Sequence, residues 1–424
     1  MKNIKKIKKQ VIISSGFGNF HMLSHTASVL SKYNRLNRVL CGLYPSKLDK
    51  KILLFLPLSN NRKKKFLLRE EKINEKLIFQ NRFAELLNYL YLYLSGFKNN
   101  LFLKLNESVS LLSKNIYVNK VAKILKNLPS SDQNKIYHFR AAFGGKSIKI
   151  ARSMGYYTLC DHSIAHPSTI DCLVQNKGKF ISSKIKSPSL IWARLALYDL
   201  NQADAVLVNS NFVKKSFRYI NFKKKIYVSQ LGLEDKFFSF LKNLKKNKEN
   251  AKVKFLFAGS ISQRKGADEI QEALGKMKDS DFELHIAGTL TPLDKSRYKK
   301  LFEDKRTFYH GSLNRRDLCK LMVNSDVFLF PSLCEGSARV IFEAMASGCA
   351  IITTKNSGSV VKHNKNGFIV PPGNIKKLVN YINKSKKNKK LINKMGKYNS
   401  LFVKKKYNYD AYVKKLFKIY DQLK

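Results

Sequence analysis

The sequence predicts an open α/β protein of two domains, each built on a parallel sheet, and three observations predict it. Short apolar runs that end in glycine or polar loops alternate with amphipathic helical stretches along the chain. At 424 residues the chain is long enough for two domains of ordinary size. A hydrophobic content of 44% with 28 Phe supports well-filled cores and argues against disorder.

The first half opens with Val11-Ile12-Ile13-Ser14-Ser15, then Gly16-Phe17-Gly18 and a helical stretch from His21 to Leu30. Glycines at such a turn let the backbone reverse sharply and approach a ligand, although a purely structural turn reads equally well from Gly16 and Gly18 alone. Residues Phe79 to Leu94, rich in Leu and Tyr, predict a helix that is apolar around most of its circumference and therefore buried in the core. Arg62-Lys63-Lys64-Lys65 nearby leaves a membrane-interface helix as the alternative. Lys135–Arg140 and Tyr156–His162 predict two further strands. The second ends in Asp161 and His162, polar groups at the strand end where open α/β sheets place their ligands. His162 and His166 do not predict a metal pair, because Pro167 breaks the helix that their spacing needs. Ala203–Ser210 and Lys223–Ser229 complete this half, Gly232 marks the crossing, and Leu241 to Lys252 predicts a Lys-rich linker or exposed loop.

The second half carries the more specific pattern. Lys254–Gly259 predicts a strand, followed by Ser260-Ile261-Ser262-Gln263-Arg264-Lys265-Gly266 and a helix from about Ala267. Two adjacent cations and a glycine at a helix start suit a diphosphate, while a solvated basic pair is the plain alternative in a Lys-rich chain. Phe282–Gly288 and Thr307–Gly311 predict the next strands. Asp326–Ser332 then leads to Glu335-Gly336-Ser337-Ala338-Arg339, a helix containing Glu343, and the strand Ala350–Thr354. This is one βαβ unit with two carboxylates eight positions apart. The free amides at its helix start suit a phosphate, and an ionised Glu accepts hydrogen bonds from sugar or ribose hydroxyls.

The run from Glu335 to Glu343, with Arg264-Lys265-Gly266 before it, resembles the donor-site signature of family 4 of the retaining glycosyltransferases. The resemblance extends over the whole second half of the chain. It implies a GT-B fold: two Rossmann-like α/β domains whose parallel sheets face a central cleft. The implied boundaries are an acceptor-side domain over 1–230, a donor-nucleotide domain over 231–400, and a C-terminal helix over 401–424 that packs back on the first domain. It also implies that Arg264 and Lys265 hold the donor diphosphate and that Glu335 lies near the transferred sugar. Glu343 would bind the ribose, and Gly336, Ser337, Ala338 and Arg339 would line the donor. Gly16 and Gly18 would face acceptor and donor phosphates, Gly311 would precede the loop under the base, and Asp161 or His162 would contact the donor hexose. Asp161, His162, Glu335, Arg264 and Lys265 form the implied catalytic set. One departure stands out: many relatives carry Arg right after the strand glycine, where this chain has Ser260, so Arg264 or Arg339 is expected to supply that charge.

The expected activity is transfer of a sugar from a UDP- or GDP-sugar to a glycan or glycolipid acceptor in cell-surface polysaccharide synthesis, with no cofactor and no metal. A sugar-nucleotide epimerase and a non-catalytic membrane-surface protein are the competing classes. The net charge of +52 fits attraction to an anionic membrane or a biased composition; no nucleic-acid-binding pattern accompanies it. Six scattered cysteines without Cys-x-x-Cys fit a reducing compartment, and no apolar run reaches the roughly 20 residues of a membrane span. A cytoplasmic protein, free or held at the inner membrane face, is expected.

Overall fold

The computed structural model describes residues 9–18, 21–46, 49–51, 67, 73–94, 100–128, 135–244, 246, 252–279 and 281–423. Its first sheet has seven parallel strands: β1 (Gln10–Gly16), β2 (Leu36–Cys41), β3 (Ile78–Gln80), β4 (Lys135–Arg140), β5 (Tyr156–His162), β6 (Ala205–Val208) and β7 (Lys225–Val228). They lie in the order β3-β2-β1-β4-β5-β6-β7. The second sheet has six: β8 (Val253–Ala258), β9 (Phe282–Ala287), β10 (Thr307–Tyr309), β11 (Val327–Phe330), β12 (Ala350–Thr354) and β13 (Gly367–Val370). Their order is β10-β9-β8-β11-β12-β13, again all parallel. The two parallel-sheet domains are the expected GT-B arrangement.

Both sheets change winding direction once, between β1 and β4 in the first and between β8 and β11 in the second. At such a point the connections leave toward opposite faces and open a crevice beyond the carboxyl ends of the strands. Four loops therefore surround the candidate ligand space: those after β1, β4, β8 and β11.

The strands are apolar on both faces because helices cover both faces. Phe255, Phe257, Phe328 and Phe330 are fully buried in the second domain, with Phe257 and Phe330 stacked at 5.7 Å. In the first domain Val11 and Ile13 of β1 pack with Tyr412, Leu416 and Tyr420 of the C-terminal helix Tyr409–Gln422. The Tyr420 hydroxyl lies 2.8 Å from His138 Nδ1, and the Tyr412 hydroxyl lies 2.8 Å from Thr26 Oγ1. The chain thus crosses between domains twice, side by side: Leu233 donates to the Tyr407 carbonyl at 2.8 Å.

The long apolar segment differs from its expectation. Phe79 belongs to the edge strand β3, and the helix runs from Arg82 to Leu94. Of its apolar residues with described side chains, only Ala84 is buried; Phe83 is 62% and Leu86 55% exposed, and Tyr89 and Leu90 are also exposed. This helix packs on Asn100–Lys126 along one side and leaves its other apolar side open, so it is not a core helix. The basic run at residues 62–65 lies outside the described residues. Leu241 and Lys242 end a helix, Asp235–Lys242, so the exposed connection begins later than the Lys content suggested.

Candidate functional site

The loop after β8 brings Arg264 and Lys265 to the switch point. Gly259 has φ 141° and Gly266 φ 88°, and between them the chain forms a tight turn over Gln263–Lys265. A Cβ on Gly266 would lie 2.4 Å from the Pro331 carbonyl oxygen, so this loop seats against the loop after β11 only because Gly266 has no side chain. Two further bonds lock the loops together: Leu333 N–H donates to the Arg264 carbonyl at 2.9 Å, and Ser332 Oγ donates to it at 3.1 Å.

This seating joins residues 70 positions apart. Arg264 Nη1 donates to the Cys334 carbonyl at 2.8 Å and to Glu335 Oε1 at 2.6 Å. Lys265 Nζ lies 3.7 Å from the same oxygen and 5.6 Å from the Phe330 ring centroid. Burial lowers the Lys265 pKa, and the Glu335 carboxylate partly opposes that. Two cations share one carboxylate here, which leaves a local excess of positive charge for an incoming anion.

Beyond Glu335 the helix Arg339–Ala346 starts without any side-chain cap at Ala338, which leaves its first-turn amides suited to an anion. Glu343 lies one turn in. Its Oε1 is 3.2 Å from Arg339 Nε and 3.9 Å from Arg315 Nη2. Glu234, just past the interdomain crossing, closes the ring: it lies 3.1 Å from Arg339 Nη2 and 3.4 Å from Arg315 Nη1. Arg339 therefore does not offer a free charge in place of the Arg missing at Ser260. Burial disfavours its charge, but Glu343 and Glu234 outweigh that and hold its pKa above the usual range. Arg339 holds the Glu343 carboxylate, and Arg264 stands beside Lys265 on Glu335. Sequence reasoning missed Glu234 and Arg315. The available signals were a carboxylate two residues after Gly232 and a cation opening the helix after β10.

The first domain supplies the opposite wall. Gly336 lies against the loop after β5, and its carbonyl accepts from Ser210 Oγ. Asn209 Nδ2 donates to the Ser163 carbonyl at 3.0 Å. A cavity of about 230 Å³ sits at this junction, lined among others by Ser163, Asn209, Gly232, Glu335, Ser337 and Arg339. Asn209 Oδ1 and Ser337 Oγ are buried there and have no protein partner among the described residues. Buried polar atoms usually find a partner, so these two suit a polar ligand or water.

Gly16 and Gly18 adopt φ 71° and 68° in the loop after β1. Gly16 N–H donates to the Tyr117 hydroxyl at 3.1 Å, and Gly18 N–H donates to Glu85 Oε1 at 3.1 Å. Asp161 is partly exposed at the end of β5, with one oxygen 3.4 Å from His138 Nε2. His162 points the other way. It is 3% exposed, packs against Phe217, and lies 3.2 Å from the Ala165 carbonyl through Nε2. Burial lowers its pKa to about 4, so it is neutral near pH 7 and closed off from the cleft. His162 thus braces the Ser163–His166 turn through the Ala165 carbonyl. His166 caps the next helix, accepting from Ser168 N–H through Nδ1 at 3.3 Å. Gly311 (φ 64°) lies just past β10, which is two strands from β8, and its carbonyl accepts from Gly288 N–H at 2.7 Å. It flanks the charged cluster along the same sheet edge. Among the described residues no group of three or more His, Cys, Asp or Glu side chains could hold a metal ion.

Residues 226–402, most of the second domain, match the family described as Glycosyl transferases group 1. A glycosyltransferase from Rickettsia africae superposes with a TM-score of 0.62 at 19% identity, over 98% of both chains. HepE of Anabaena, solved in complex with UDP and glucose, gives 0.61 at 15% identity over 98% of this chain and 100% of its own. In sequence, an uncharacterized glycosyltransferase of Methanocaldococcus jannaschii is 30% identical over 124 residues, and the sulfoquinovosyl transferase SQD2 of Arabidopsis thaliana 25% over 138. Those matched stretches span 32% and 26% of the two relatives' lengths.

Proposed function

We propose that this protein is a retaining glycosyltransferase of family 4 that moves a hexosyl group from a nucleotide-diphosphate sugar to a glycan or lipid-linked acceptor. The observation that carries the reading is the convergence of Arg264 and Lys265 on Glu335 beside the uncapped helix start at Ala338. Cations and free amides there suit the diphosphate, and the carboxylate suits the hydroxyls of the transferred sugar. The binding of UDP and glucose by HepE, which shares the fold, supports a nucleotide-sugar donor.

The glycosidic bond to the diphosphate breaks as the acceptor hydroxyl attacks from the same face. The leaving phosphate oxygen takes the acceptor proton, and Arg264 and Lys265 stabilise its growing charge. Asp161, at the end of β5, would contact the hexose, and closure of the domains over the donor would exclude water. The net charge of +52 and the exposed apolar side of Arg82–Leu94 favour work at an anionic membrane surface, in cell-surface polysaccharide synthesis. No helix among the described residues is long and apolar enough to cross a membrane.

A panel of sugar nucleotides, with glycolipid acceptors in neutral and in anionic vesicles, tests this reading. The expected outcome is nucleoside diphosphate release that depends on acceptor and is faster on anionic vesicles at low salt. Anomeric configuration of the product reports retention. Release with no transfer product from any donor would reject the transferase reading, and equal rates on both vesicles would reject the membrane part.

The ribose assignment has its own test. Glu343→Ala is expected to weaken nucleotide binding by about 1.5–3 kcal/mol, the worth of a charge-assisted hydrogen bond, as measured by calorimetry. Unchanged affinity in the folded variant would move the ribose elsewhere.

A further inference from the structure

The helix Arg82–Leu94, which leaves an apolar side open to solvent, carries a carboxylate on the side that it buries. Glu85 is 1% exposed, next to the fully buried Ala84. Its Oε1 accepts from Gly18 N–H at 3.1 Å and its Oε2 from Leu43 N–H at 2.6 Å. Both oxygens take amide protons, an arrangement that suits a carboxylate and not a carboxylic acid. Glu85 thereby ties the loop after β1 to the loop after β2. A Cβ on Gly42 would lie 2.1 Å from Glu85 Oε2, so the carboxylate sits in a slot that a glycine leaves open. Gly42 N–H also donates to the Gly16 carbonyl at 3.1 Å.

Other side chains hold the earlier part of the same turn. The Tyr117 hydroxyl accepts from Gly16 N–H and donates to the Leu40 carbonyl at 2.9 Å. Phe17 packs edge-on against Tyr117 and Phe143, and its carbonyl accepts from Arg140 Nη1 at 3.3 Å. Gly18 differs from Gly16 in what lies around it. A Cβ on Gly16 would strike the Phe143 ring at 2.5 Å, whereas one on Gly18 would meet nothing within 4 Å. The turn therefore reaches open space at Gly18, beside the switch point of the first sheet, and Glu85 holds its amide there. A bond to a carboxylate is stronger than one to a neutral acceptor, so it defines the position of this backbone more tightly.

We infer that Glu85 is a positioning residue for sugar transfer, holding the Gly16–Gly18 turn in the geometry that the first domain presents to the cleft. This rests on the glycosyltransferase reading, which makes the turn part of the reacting assembly. The donor-side groups Arg264, Lys265 and Glu343 belong to the other domain. Loosening the turn should then lower turnover and leave nucleotide binding alone.

The test uses the full chain with the UDP- or GDP-hexose and the glycolipid vesicles on which the wild-type protein is fastest. Glu85→Ala should lower kcat about a hundredfold, the scale of an ångström's misplacement, with UDP affinity within about twofold. Glu85→Gln keeps one oxygen that accepts an amide, and it should recover about a tenth of the wild-type kcat. Ala84→Gly weakens the same helix while touching neither amide, so it should lower the Tm and leave kcat within about threefold. Hydrogen exchange of the Gly18 and Leu43 amides should quicken in Glu85→Ala. The inference is overturned by near-normal kcat in both Glu85 variants, by unchanged exchange at these two amides, or by an equal loss of kcat in Ala84→Gly. It is also overturned if Glu85→Gln is no better than Glu85→Ala. If the wild-type protein transfers sugar from no donor, the transferase reading fails and this inference falls with it. If it does transfer and the Glu85 variants match it, the inference fails alone.

Discussion

Replacing Lys265 with alanine is expected to lower turnover at saturating donor by about a hundredfold or more, the scale seen when one electrostatic stabiliser is removed. Lys265 is partly buried, sits over the Phe330 ring, and has Glu335 as its nearby carboxylate. In a partly dry site its charge acts with less screening than on the surface. The diphosphate carries more charge on its leaving oxygen as the glycosidic bond breaks, so the lysine favours the transition state over the bound donor. Ser260 sharpens the expectation, since the Arg common at that position is absent and Arg339 is committed to Glu234 and Glu343. Arg264 is then the other cation beside Lys265, and it too is held by Glu335. Saturating-donor kinetics on the variant, with circular dichroism to confirm the fold, decide the matter. Near-normal turnover would place the diphosphate away from this loop.

The strands that flank the switch points were legible because their ends carried marks. β1 ends in Gly16 and Gly18, β8 in Gly259 with Gly266 further on, and β11 in Pro331 with Glu335 beyond, so apolar runs and their terminators exposed the sheet edges. Local chemistry also joined Arg264-Lys265 to Glu335 through a family pattern, and the structure brings those three together. The burial of the helix Arg82–Leu94 was not legible. Leu and Tyr at every turn look the same whether a helix enters a core or packs on one neighbour, since periodicity reports the sequence and not what covers it. Asp161 and His162 could not be told apart for a related reason: alternate residues of a strand point to opposite faces, and of the two only Asp161 keeps a partly exposed side chain. Glu234 and Arg315 were hidden because they lie 81 positions apart, one at the start of the helix Asp235–Lys242 and the other opening the helix Arg315–Val323, and their pairing exists only once the second domain has folded.

Gly336→Ala is expected to reduce turnover by about a hundredfold while leaving nucleotide affinity within a few-fold. A Cβ at Gly336 would lie 1.6 Å from the Ser163 carbonyl oxygen and 2.9 Å from Asn209 Nδ2. The first obstacle is backbone, which cannot swing aside as a side chain could. A second contact constrains the same loop from behind: a Cβ on Gly358 would lie 1.8 Å from the Gly336 carbonyl oxygen. The added methyl can then be accommodated only if the two domains separate at this junction. The donor-side groups, Arg264, Lys265 and Glu343, all belong to the second domain and stay in register, so binding survives. Alignment against the first domain does not, and misplacement of reacting groups by an ångström costs on the order of a hundredfold. Gly275→Ala is the control, because a Cβ there meets nothing within 4 Å and the residue lies in a helix where alanine is favoured. Kinetics, nucleotide calorimetry and small-angle scattering on both variants separate the outcomes. Gly336→Ala should show a wider separation of the domains and Gly275→Ala should not. Turnover close to normal in Gly336→Ala would mean that sugar transfer does not require the Gly336–Ser163 contact, and the catalytic arrangement of the two domains would differ from this one.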